Sequence, residues 1–116
     1  MALDSTLNIK SVRNTDTPAK TQVCTSLSNG ANVLVAATVG KQIQITGIVL
    51  STDTAGVYTL NSGSDPIMVF CMAANSVFGD SISVGALFSS SSGENLNMTV
   101  SGSPGNAAIY LQYKVL

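Results

Sequence analysis

The sequence has no histidine and no tryptophan, and charged side chains make up only 9% of its 116 residues. Without histidine, neither a Ser-His-Asp triad nor a Cys-His pair can be assembled. Without tryptophan, the Cys…Trp…Cys signature of an immunoglobulin domain is impossible, which ranks that sandwich behind other all-β folds. Glutamate occurs once, at Glu94, so a pair of glutamates flanking a glycosidic bond is excluded. An Asp-Glu or Asp-Asp pair stays open by count, but no spacing places two carboxylates in one cleft.

Charge is scarce against about 25% in a typical soluble domain. Ser, Thr, Asn, Gln and Gly fill the gap, giving a hydrated surface with little self-repulsion. Such a surface suits either a protein packed among neighbours or an ordinary neutral β domain. The net charge is −1, and the five bases are scattered at Lys10, Arg13, Lys20, Lys41 and Lys114. No basic stripe forms, which argues against nucleic-acid binding.

No run approaches the ~18 continuous apolar residues of a membrane helix. Met1 to Thr6 has neither a basic nor an apolar signal region, so synthesis in a host cytoplasm without a signal peptide is expected. Cys24 and Cys71 match no metal knuckle or CxxC pair. Two free, largely buried thiols are expected in preference to a disulfide.

What is present is strand grammar. The chain is 45% hydrophobic with 5% aromatics, so a core of Val, Ile, Leu and Ala is expected. Residues 1–20 read as a polar, extended N-terminal arm, and residues 21–116 as one domain. Short apolar stretches then recur between turns, at Gln22–Leu27, Asn32–Ala37, Gln42–Ser51, Val57–Asn61, Ile67–Met72, Asn95–Val100 and Ala107–Val115. Ile43 and Ile45 alternate with polar neighbours until Gly47, where a bulge or a doubly buried segment is expected. Ala73–Val84 reads as a longer connection carrying Val77 and Phe78, with a strand near Ile82, and Leu87-Phe88 as a strand anchor. In the last strand, Ala107, Ile109, Leu111, Tyr113 and Val115 share one face. About eight strands and no helix predict an all-β, antiparallel two-sheet jelly-roll sandwich.

The local motifs reduce to turns. Gly79-Asp80-Ser81 has no base to activate its serine. Asp53-Thr54-Ala55-Gly56 only approximates the turn of an aspartic protease, which needs two carboxylates sharing a proton. Gly40-Lys41 lacks the rest of a phosphate loop. The acids stand singly, without calcium-loop spacing. Ser91-x-x-Glu94 matches a helix capping box but precedes a strand pattern. Asn97-Met98-Thr99 is a formal glycosylation sequon, read here as strand. Catalytic, cofactor and metal sites are therefore all expected to be absent. Among Tyr58, Phe78 and Tyr110, core positions are expected first, with Phe78 the best candidate contact.

The run Ser28-Asn29-Gly30-Ala31-Asn32-Val33-Leu34-Val35-Ala36-Ala37, continued by Gly40-Lys41-Gln42-Ile43-Gln44-Ile45, resembles a stretch common in small structural proteins of tailed bacteriophages. Leu60-Asn61-Ser62-Gly63-Ser64, Leu87-Phe88 with Gly93-Glu94-Asn95-Leu96-Asn97, and Ile109 to Val115 are similar blocks in the same order. The resemblance implies a jelly-roll virion protein, most like a capsid decoration (cement) protein. Such proteins are typically homotrimers on the head that bridge major capsid protein subunits. Related modules form the receptor- or carbohydrate-binding tips of head or tail fibres. The expected function is a non-enzymatic cement module, with Lys10, Arg13 and Phe78 as candidate partner contacts and a fibre tip as the alternative.

Overall fold

The structure, a computed structural model, describes residues 19–24, 26–82, 85–102 and 104–116. Its strands are β1 (Lys20–Cys24), β2 (Gly30–Val35), β3 (Ile43–Thr52), β4 (Gly56–Ser62), β5 (Asp65–Met72), β6 (Ser76–Ser81), β7 (Phe88–Ser89), β8 (Leu96–Ser101) and β9 (Ala107–Val115). They form two antiparallel sheets. The first runs β1-β9-β3-β6, with the two-residue β7 also on β3, and the second runs β2-β8-β4-β5.

Setting β7 aside, the chain folds as a rolled ribbon. β1 pairs β9, β2 pairs β8, β3 pairs β6 and β4 pairs β5, so pairing proceeds inward from the two ends. Rolling that ribbon brings β9 against β3 and β8 against β4, closing each sheet. This is the jelly roll that the alternating strand pattern predicts.

Side-chain alternation fixes which face of each strand is buried. Ile43, Ile45, Ile48, Leu50, Ile109 and Leu111 project from the first sheet onto Tyr58, Leu60, Phe70, Leu96, Met98 and Val100 of the second. The register slips between Ile45 and Gly47, leaving Thr46 as the extra residue of a bulge. Thr46 is buried there, its hydroxyl donating to the Gln112 carbonyl at 3.2 Å. A second bulge, between Val33 and Val35, buries Leu34 and Val35 together.

Three expectations are corrected. The connection after Ala73 is shorter than expected and the strand near Ile82 starts earlier: a link at residues 73–75 leads straight into β6 (Ser76–Ser81), which carries Val77 and Phe78. Asn75 turns the chain with φ 53°. The edge strand β6 mixes Ser, Gly and Asp with its apolar residues, so its alternation has little hydropathic contrast. The first strand begins at Lys20 rather than Gln22. Finally, of the two thiols, both free, Cys24 is half-buried and Cys71 exposed, because Cys71 points away from the core opposite Val57.

Candidate binding face

The pairing register lays out both outer faces row by row. On the first sheet, one row reads Val23, Tyr110, Val49, Gly79 across β1, β9, β3 and β6. Beside it lie Thr21, Gln112, Gly47, Ser81 on one flank and Ala108, Ser51, Val77 on the other. Val23 is 54% exposed, Val49 41%, Val77 69% and Tyr110 38%, so this side of the sheet presents an apolar stripe with a tyrosine at its centre. Large aromatic anchors of this kind dominate the energetics of protein interfaces.

Glycines keep the stripe flat. A side chain at Gly47 would press against Gln112, 3.3 Å away, and one at Gly79 would touch Val49. The charged outward residue of this sheet is Lys114, opposite Gln44 at the end of the face. Lys20 and Asp80 sit on the two edge strands at inward-parity positions, opposite Tyr113 and Ile48.

The outer face of the second sheet is also uncharged. Its rows are Val33, Asn97, Asn61, then Ala31, Thr99, Thr59, Val69, then Ser101, Val57, Cys71. Here amides bond along the sheet: Asn61 Nδ2 donates to Thr99 Oγ1 at 2.8 Å, and Asn97 Nδ2 to the Gly63 carbonyl at 2.9 Å. Asn97 Oδ1 is buried with no donor among the described residues. The Asn97-Met98-Thr99 sequon is therefore strand, with its asparagine nitrogen already engaged.

Asp53 and Glu94 stand at separate turns. At one end of the sandwich, Asp53 accepts from Asn106 N at 2.8 Å, Asn106 Nδ2 at 3.1 Å and Thr54 Oγ1 at 2.9 Å. Those donors, the Asn106 amide foremost, hold its carboxyl below the ordinary aspartate range despite full exposure. At the other end, Glu94 accepts from Ser62 Oγ at 2.7 Å, and Ser62 Oγ accepts from Ser91 N at 2.7 Å. Thus Asp53 and Glu94 fasten opposite ends of the molecule. Among the described residues no three His, Cys, Asp or Glu side chains cluster as a metal site would require.

Of the candidate contacts, Lys10 and Arg13 lie outside the described residues. Phe78 lies on β6 opposite Leu50, half-buried. Its ring is 5.0 Å from that of Phe70, which also meets Phe88 edge-on at 6.3 Å. Phe78 therefore belongs to an aromatic cluster closing the β5–β6 side. Tyr58 is core, whereas Tyr110 is the exposed aromatic. Sequence reasoning passed over Tyr110 in favour of Phe78, although its placement on the polar face of β9, with Gln112 and Lys114, was the available signal.

No family model matches this sequence, and no curated protein matches it significantly. Among solved structures, the chain is similar to one in the cyanophage Pam1 capsid asymmetric unit, at 13% identity over 83% of this chain and 84% of that one, with a TM-score of 0.44. A superposition this loose assigns no role to this chain.

Proposed function

We propose that this protein is a structural component of a phage virion, a cement module that binds the assembled head as a symmetric homotrimer. It has no catalytic role in this reading. The partner is the major capsid protein and the location is the outer capsid surface. The observation that carries the reading is the pair of nearly charge-free outer faces, one bearing the Val23–Tyr110–Val49 stripe. Such faces are fit for burial against protein: apolar area is available, and few charges must be stripped of water. The sequence blocks that resemble those of phage structural proteins support the same class.

The mechanism is linkage. A subunit that binds only the finished shell lowers that state's free energy in proportion to occupancy. A symmetric oligomer engages several shell sites at once, converting modest contacts into avidity. In this reading the arm over residues 1–20, with Lys10 and Arg13, is the part that reaches a neighbouring subunit. A fibre tip would make its contacts through the loops Ala73 to Ser81 and Ser89 to Gly93, and it has less support, since residues 76–81 are strand.

Co-sedimentation with undecorated capsids tests the reading. The wild type is expected to saturate regular shell sites and raise the temperature of shell disruption. Tyr110→Ser is expected to weaken binding about tenfold or more while unfolding normally, as loss of an interface anchor does. Robust binding to cells or glycans, with no affinity for capsids, would overturn the proposal in favour of the tip.

A further inference from the structure

We propose that the free edge of β5 receives residues 7–13 of a neighbouring copy as an added antiparallel strand of the second sheet. The idea rests on the oligomeric half of the reading above and not on shell binding.

β5 is eight residues long and, among the described residues, lies at the edge of its sheet. From Pro66 to Met72 it carries no charge, and Met68 and Val69 are 42% and 49% exposed. An unpaired apolar edge of this length is a template for another strand, and proteins ordinarily blunt such edges with lysine or charge. Here Asp65 and Pro66 guard only its first turn.

Residues 1–18 precede the described body and contain Leu7-Asn8-Ile9-Lys10-Ser11-Val12-Arg13, a segment as long as the exposed run. Pairing Ile9 with Phe70 places Leu7 opposite Met72 and turns both inward, over the open side of the aromatic cluster. Lys10 then points outward beside Val69.

Charge and chain direction agree with the antiparallel choice. The Phe70 and Phe78 rings meet at a 47° tilt and the link at residues 73–75 turns β5 back into β6, so the two strands run past each other with Asp65 and Asp80 toward the same end. β5 and β6 contain no lysine or arginine. The antiparallel strand brings Arg13 to that acidic end.

The end is also the one from which the segment departs. Lys20 pairs Tyr113 beside the start of β3, and the Ile43 region is joined to the Ser62–Asp65 turn through Ser90 and Ser91. Residues 14–19 need only cross from one molecule to the next, and six extended residues span about 20 Å. β1 and β5 lie on opposite sides of the sandwich. Head-to-tail donation around a ring therefore fills every edge, a closed cyclic assembly.

The test uses the protein without capsids. Sedimentation should give an oligomer for the full chain, and a monomer of unchanged β-sheet signal after deletion of residues 2–18. In a Cys24→Ser, Cys71→Ser background, a Lys10→Cys chain mixed and refolded with a Val69→Cys chain should give an interchain disulfide under mild oxidation. An oligomer that survives the deletion overturns the proposal. So does a Lys10→Cys, Val69→Cys double variant that crosslinks only within its own chain. Shell binding is read separately, so its loss would count against the cement function and leave strand donation standing.

Discussion

Thr52 Oγ1 and Tyr58 Oη lie 2.8 Å apart, buried beneath the turn joining β3 to β4. Thr52 also donates to the Thr54 carbonyl at 2.8 Å and accepts from the Thr54 amide at 3.1 Å, so the tyrosine supplies the proton between the two hydroxyls. Thr52→Val strands the tyrosine hydroxyl in the core and is expected to cost about 2–3 kcal/mol, whereas Tyr58→Phe costs about 1 kcal/mol. Urea unfolding of both variants checks the order. An equal or reversed ranking would show that water, not Thr52, satisfies the tyrosine.

Asp53 ties the β3–β4 turn to the β8–β9 turn through Asn106. Its folded carboxyl titrates below the ordinary value, so its contribution is present above the unfolded aspartate pKa of about 3.9 and is lost as pH falls through the lower folded value. Asp53→Ala should therefore lower the melting temperature at pH 7 and converge with the wild type in strong acid. A gap between the two that stays constant with pH would contradict this.

Gly105 sits against the same carboxylate. A Cβ there would stand 2.7 Å from Asp53 Oδ1 and 3.0 Å from Thr54 Oγ1. Gly105→Ala should push the turns apart and destabilise by about 1–3 kcal/mol, the ordinary cost of overpacking. In an Asp53→Ala background the penalty should shrink, which a double-mutant cycle measures.

At the opposite end, Ser62 is buried between Glu94 and the Ser91 amide. Ser62→Ala removes the acceptor for that amide and the donor to the carboxylate together, at about 1–3 kcal/mol. Glu94→Gln keeps an acceptor and should cost less. Thermal melts of the pair decide between a hydrogen-bond role and a charge role.

Much of this fold is legible in the chain because alternation is a local signal. Ile43/Ile45, Leu96/Met98/Val100 and Ile109/Leu111 each announce a buried face. Gly47 announces the bulge beside it. β6 escapes because an edge strand needs little apolar contrast: Asp80 occupies a nominally inward position where water still reaches it. The apolar outer face is less visible for a different reason. Val23, Tyr110, Val49 and Gly79 are far apart in sequence and become a row only through pairings set by the roll. Composition reports the scarcity of charge; only register shows which residues stand side by side.

The place of β9 between β1 and β3 carries a consequence for maturation. Both neighbours need its backbone before either can complete its hydrogen bonds. A chain cut short of residue 107 keeps only the pairings of β3 with β6 and β7 from the first sheet, and the stripe centred on Tyr110 does not exist on it. Only copies that carry β9 present that row, so under the proposed cement role shorter ones are barred from assembly without any separate inspection step.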